Sequence, residues 1–147
     1  MAGKPPALIQ TAHHLETINE KTKLSAFLGL RSDRRAILFD KVDSAYGIKV
    51  SSEIGMQMPI LAGAGIKTVL SQLSDEGIDE ILARTELKRY RPYSIIDKAV
   101  YKEEILEVRK QGIAYDREEC IEGMVAFGIP MLQARVCRKD LTKNILM

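Results

Sequence analysis

The sequence predicts an α+β fold with a mainly antiparallel sheet, and three observations carry that class. Strand-like runs cluster between residues 23 and 52 instead of alternating one for one with helices. Their connections are short and polar. Further strand-like runs, "IAY" and "GMVAFGIPML", follow the last helical stretch and flank the acidic corner "DREECIE". A doubly wound nucleotide fold, which needs strand and helix in strict alternation, is disfavoured on the same grounds.

The elements follow in order. In "PALIQTAHHLETINEKT" the apolar positions Leu8, Ala12, Leu15 and Ile18 fall on one helical face, and Pro5 and Pro6 suit its start. "KLSAFLGL" and "AILFDKV", separated by the polar "RSDRR", read as an antiparallel hairpin. "AYGIKVSS" is expected to be a third extended run. Pro59 then marks the approach to a helix, small residues 62 to 65 follow, and Ile66, Val69, Leu70 and Leu73 have helical spacing. Ser74 is suited to cap a short helix over "DEGIDEILART", where Asp75 and Glu76 complement the positive helix end. "ELKRYRPYSIID" reads as loop, because Pro92 biases Arg91 away from helix. Asp97 caps the next helix, "KAVYKEEILEVRKQG", with Tyr101, Ile105 and Val108 on one face and Gly112 just past its end.

Composition removes several classes of function. A chain of 147 residues with 46% hydrophobic and 29% charged residues suits one domain spanning 1–147. Its 22 basic and 20 acidic residues are interspersed, so there is little electrostatic footprint for nucleic acid. No apolar run approaches the roughly 18 to 20 residues of a membrane span, and "MAGKPPALIQ" lacks a signal-peptide core. A soluble, cytoplasmic protein without membrane partners is expected. Cys120 and Cys137 are too far apart for a local metal knuckle and read as reduced thiols. His13 and His14, about 100° apart on a helix, cannot chelate one ion together.

Two segments suggest chemistry. "GAGIKT" superficially resembles a phosphate loop, but Ile66 separates Lys67 from the last glycine and Pro59 and Ile60 stand where the upstream glycine would be. What remains is a helix opening on small residues, either to present unpaired backbone N–H groups to an anion such as a carboxylate or to pack closely on the sheet. In "QGIAYDREECIEG", Glu118, Glu119 and Glu122 read as a solvated acidic turn, with no ligand spacing for a metal. Asp116, between the strand and the turn, is the one carboxylate there with a functional reading. Nothing nearby supplies a nucleophile or an oxyanion hole, so no enzyme and no cofactor are expected.

Taken together, "GMQMPILAGAGIKTVLSQLSDE", "EILEVRKQGIAYDREECIEGMVAFGIPM" and the upstream "AILFDKVDS" resemble the effector-binding domain of the IclR family of bacterial transcription regulators, over roughly residues 8 to 133. The resemblance implies a GAF-like domain whose sheet and helices enclose a pocket for a small organic acid or aromatic metabolite, and which also mediates assembly into a homo-dimer or tetramer. Carried over by position, the pocket would include Met58 before Pro59, Ala64 and Gly65 at the helix opening, Asp116, and Ala126 on the following strand. Backbone N–H groups at Ala64 and Gly65 suit a carboxylate, Met58 an adaptable apolar wall, and Asp116 a ligand hydroxyl.

The chain departs from the family pattern in three places. Little sequence precedes the first helix, so the family's winged helix-turn-helix domain is not expected here and this chain alone should not bind an operator. From about residue 133 it continues "QARVCRKDLTKNILM" instead of a hydroxyl-bearing strand and terminal helix, and Ile66 replaces the glycine of the family's Gly-Lys pair. An oligomerisation module without a working pocket is therefore the alternative expectation.

Overall fold

The computed structural model describes residues 6–32, 35–46, 53–57 and 63–131. Helix α1, Pro6–Thr22, lays buried Leu15 on Ala26 and Leu28, with Ile18 and Met131 packed around them. Its end is tied down by Asn19, whose Nδ2 donates to the carbonyls of Leu24 at 2.9 Å and Asp43 at 3.0 Å. The chain thereby passes directly into the hairpin of β1, Ala26–Ser32, and β2, Arg35–Val42. The strands pair antiparallel from Ala26↔Val42 to Ser32↔Arg35, with a register shift at Leu28/Gly29.

The hairpin is the one the sequence predicts. Of the third extended run expected over 45–52, Ala45 and Tyr46 form a bend, and 47–52 lie outside the described residues. Residues 55–57 occupy the free edge of β2 instead. Gly55 N–H donates to the Leu38 carbonyl at 2.7 Å, Leu38 N–H donates to the Met56 carbonyl at 2.9 Å, and Ile37 bridges Gln57.

Three helices follow: α2, Gly63–Leu70; α3, Asp75–Arg84; and α4, Lys98–Gln111. The caps are those the sequence predicts. Ser74 Oγ accepts from Gly77 N–H at 3.1 Å, and Asp97 Oδ1 accepts from the N–H groups of Ala99 and Val100 at 2.8 and 3.1 Å. Gly112 sits at φ 77°, where it closes α4 with an N–H bond to the Val108 carbonyl. Ile66, Val69 and Leu70 of α2 meet Ile78, Ile81 and Leu82 of α3 and Tyr101 and Ile105 of α4 in the principal core, which Ala36 of β2 joins. Arg109 locks the end of α4 to the α2–α3 turn: its guanidinium donates to the carbonyls of Ser71 and Leu73 and to Asp75 Oδ1.

Strand β3, Ala114–Arg117, and β4, Val125–Gly128, form a second antiparallel hairpin on either side of the acidic corner. Ala114, Asp116 and Gly128 are buried toward the helices. Tyr115 and Phe127 stack edge to face on the outer surface with centroids 5.4 Å apart, and the Arg117 guanidinium lies over the Tyr115 ring. Gly128 permits the close approach to α2, since a Cβ there would lie 2.4 Å from Thr68 Oγ1 and 2.9 Å from the Ala64 carbonyl oxygen. The architecture is the α+β class expected, with antiparallel pairing in both hairpins.

Candidate functional site

Helix α2 opens on Gly63, whose φ of 84° lies in the left-handed region that side-chain-bearing residues rarely adopt. A Cβ at Gly63 would stand 3.3 Å from Asp116 Oδ2, so the first turn of the helix begins against that carboxylate. The N–H groups of Gly63, Ala64 and Gly65 have no acceptor within the helix and lie at its positive end.

Asp116 is 2% exposed, and its other oxygen, Oδ1, accepts from the Glu119 backbone N–H at 2.8 Å. The side chain therefore holds the turn after β3 with one oxygen and faces the start of α2 with the other. Ala126 is the cross-strand partner of Asp116, and it packs on the small cluster of Ala64, Val108 and Ala114. Ala64, Asp116 and Ala126 thus converge, and Gly65 is buried in the same first turn of α2. The Ala64 side chain is committed to packing, which leaves its backbone N–H as the group available to a ligand. Met58 lies outside the described residues.

Glu119 is not part of a solvated turn: its Oε1 lies 2.6 Å from Lys67 Nζ, and its side chain is only 12% exposed. Burial raises its carboxyl above the usual value against the opposing pull of Lys67. Glu118 adopts φ 58° and accepts from Gly123 N–H, while Glu122 is exposed, as expected.

Lys67, 1% exposed, is the centre of this interior. Its ammonium donates to Glu104 Oε2 at 2.6 Å, Glu119 Oε1 at 2.6 Å and the Tyr115 carbonyl at 3.0 Å, which uses all three protons. Close by, Tyr101 is buried with no hydrogen-bond partner for its hydroxyl among the described residues, and burial together with Glu119, Glu104 and Asp116 raises its pKa well above normal. Sequence reasoning missed Lys67. A lone lysine within the otherwise apolar and small-residue "GAGIKTVL" is the available signal, and neither the phosphate-loop comparison nor the family's Gly-Lys pair gives it a partner.

The chemistry on offer is binding. Among the described residues no group of three or more His, Cys, Asp or Glu is placed to hold a metal ion. Burial, then Asp116, raises the Cys120 thiol pKa and makes it a poor nucleophile at neutral pH. A groove of about 240 Å³ between α4 and β3 is lined by Glu104, Glu107, Gln111, Tyr115, Arg117 and Glu119, with Val108 and Ile113, and lies beside this network without including Asp116. No helix among the described residues is long and apolar enough to cross a membrane.

The described residues define a small α+β domain of four helices and two antiparallel hairpins. The chain belongs to the IclR family: the family described as "Bacterial transcriptional regulator IclR C-terminal" matches residues 6–137. The transcriptional repressor IclR of Escherichia coli strain K12 is 32% identical over 94 residues, which are 64% of this chain and 34% of that protein. The structure of Thermotoga maritima IclR is similar with a TM-score of 0.78 at 31% identity, over 84% of this chain and 50% of that one. The inducer-binding domain of PobR from Acinetobacter, solved as a double mutant with 3-hydroxybenzoic acid, has a TM-score of 0.77 at 22% identity, over 99% of this chain and 83% of that one, and shows likeness of fold. The chain spans less than half the length of the curated relatives it matches. Those relatives are transcription regulators, not enzymes.

Proposed function

We propose that this chain is the ligand-sensing and oligomerising domain of an IclR-type regulator, taking a small organic acid or aromatic metabolite at the opening of α2 beside Asp116. One observation carries the reading: left-handed Gly63 sets the first turn of α2, whose N–H groups have no acceptor within the helix, beside the buried Asp116 carboxylate. The N–H groups complement a carboxylate, and the aspartate accepts from a hydroxyl. A hydroxy acid carries both groups, as does the 3-hydroxybenzoic acid bound by the similar domain from Acinetobacter. Ala64 and Gly65 supply donors and Ala126 a small wall. The effector shifts an equilibrium between subunit arrangements, and a separate winged helix-turn-helix domain reads the operator.

Thermal shift against benzoate, 3-hydroxybenzoate, 4-hydroxybenzoate and short aliphatic hydroxy acids tests the proposal. Stabilisation by at least one hydroxylated acid, and weaker stabilisation by its deoxy analogue, is expected. Stabilisation by none of them would remove the sensing function.

A second reading, an oligomerisation module without an effector, is favoured by the outer face of the β3–β4 hairpin, where Val125 is 55% and Phe127 47% exposed. It predicts a dimer whose light-scattering mass depends on concentration and is unaffected by any acid. A monomer at all concentrations would exclude it.

A further inference from the structure

Asp116 is held from both sides in sequence by a residue that lies far from it along the chain. Lys67 Nζ donates to the carbonyl of Tyr115, the residue before Asp116, and to the side chain of Glu119, whose backbone N–H is bound by Asp116 Oδ1. Lys67 is also one helical turn beyond Gly63, the residue facing Asp116 Oδ2. Start of α2, Asp116, Glu119, Lys67 and back to α2 therefore form a closed ring of contacts. Glu104 on α4 is the third partner of the ammonium and fixes the ring to the neighbouring helix.

We propose that Lys67 is a positioning residue for effector binding: by gripping Tyr115 and Glu119 it holds the Asp116 carboxylate at the opening of α2 without touching the effector. The inference rests on the effector site proposed above. With its three protons committed, the buried ammonium has none left for a ligand. Asp116 Oδ2 faces Gly63 because Oδ1 is engaged by Glu119, and Glu119 is in turn kept in place by Lys67. A loosened turn would leave Asp116 free to rotate, and a binding group displaced by an ångström loses much of its worth.

The alternative is that Lys67 only supports the fold, and Lys67→Met, Glu119→Met and the double variant separate the two. Replacing both members of a buried ion pair by apolar residues often restores stability, whereas removing one leaves a buried charge alone. Three readouts are taken on the 147-residue chain: melting temperature, exchange of the Glu119 amide relative to the β1–β2 amides, and affinity for 3-hydroxybenzoate. In Lys67→Met the Glu119 amide is expected to exchange about tenfold or more faster than in the native chain while the hairpin amides change little. In the double variant melting temperature recovers, but fast exchange of the amide at position 119 and about tenfold weaker 3-hydroxybenzoate binding persist. Retained Glu119 protection in Lys67→Met, or affinity recovering together with melting temperature in the double variant, would overturn the proposal. Should the native chain not bind 3-hydroxybenzoate, the exchange comparison still decides whether Lys67 holds Asp116, and the failure belongs to the effector reading.

Discussion

Lys67 Nζ and Glu119 Oε1 stand 2.6 Å apart, the lysine side chain 1% and the glutamate 12% exposed. Removing one partner of such a pair strands the other charge in a poorly solvated place. Lys67→Met is therefore expected to cost about 2 to 4 kcal/mol in urea unfolding, below the top of the range for buried pairs because Glu104, the second carboxylate partner, is 43% exposed and regains water. A loss under about 0.5 kcal/mol, the scale of a surface pair, would mean that the network contributes no more than an exposed one.

Gly128 is where β4 touches α2. Gly128→Ala would place a methyl group 2.4 Å from Thr68 Oγ1 and 2.9 Å from the Ala64 carbonyl, so a destabilisation of about 1 to 3 kcal/mol is expected. Adding Thr68→Ala should recover part of it, since the first clash disappears and the backbone contact remains. Thermal melts of the single and double variants measure both steps. Full recovery would show that the carbonyl contact costs nothing.

Tyr101 keeps its ring in the principal core and leaves its hydroxyl without a hydrogen-bond partner among the described residues. Tyr101→Phe retains the ring and removes the orphaned group, so folding stability should rise by about 1 kcal/mol. A loss of similar size in chemical denaturation would reveal an ordered water satisfying that hydroxyl.

Asp75 gives the acid limb of the stability profile a sign. A hydrogen bond and charge from Arg109 lower its pKa from the ordinary 3.8. A carboxyl whose folded pKa is depressed contributes stability that is fully present above the unfolded value and is lost as pH falls through the folded one. Asp75→Asn should thus be less stable than the native chain near neutral pH, with the difference closing as pH drops below 3.8. A difference that stays constant across that window, measured by urea unfolding at a series of pH values, would contradict the assignment.

What the sequence disclosed was mostly local. The hairpin of β1 and β2 announces itself by two apolar runs around "RSDRR", and Ser74, Asp97 and Gly112 cap helices through bonds to residues only two to four positions away. Asp116 was legible because it stands where a strand meets an acidic turn. Glu119 was misread because its partner, Lys67, is 52 residues distant and composition cannot pair them. Gly63 was hidden among its small neighbours, since only backbone geometry distinguishes a left-handed glycine from one kept for packing. Gly128 depends on Thr68 and Ala64 in the same non-local way. Of the strand expected over 45–52, Ala45 and Tyr46 form a bend, and it is 55–57 that pair with β2 among the described residues.

Backbone amide shifts of the labelled chain during titration with 3-hydroxybenzoate test the central claim most directly. Saturable shifts are expected at Gly63, Ala64 and Gly65 and around Asp116 and Glu119, with their loss in Asp116→Ala while the β1–β2 amides keep their native positions. Saturable shifts centred instead on the groove between α4 and β3, or no shifts with any acid that stabilises the chain, would contradict an effector site at the opening of α2.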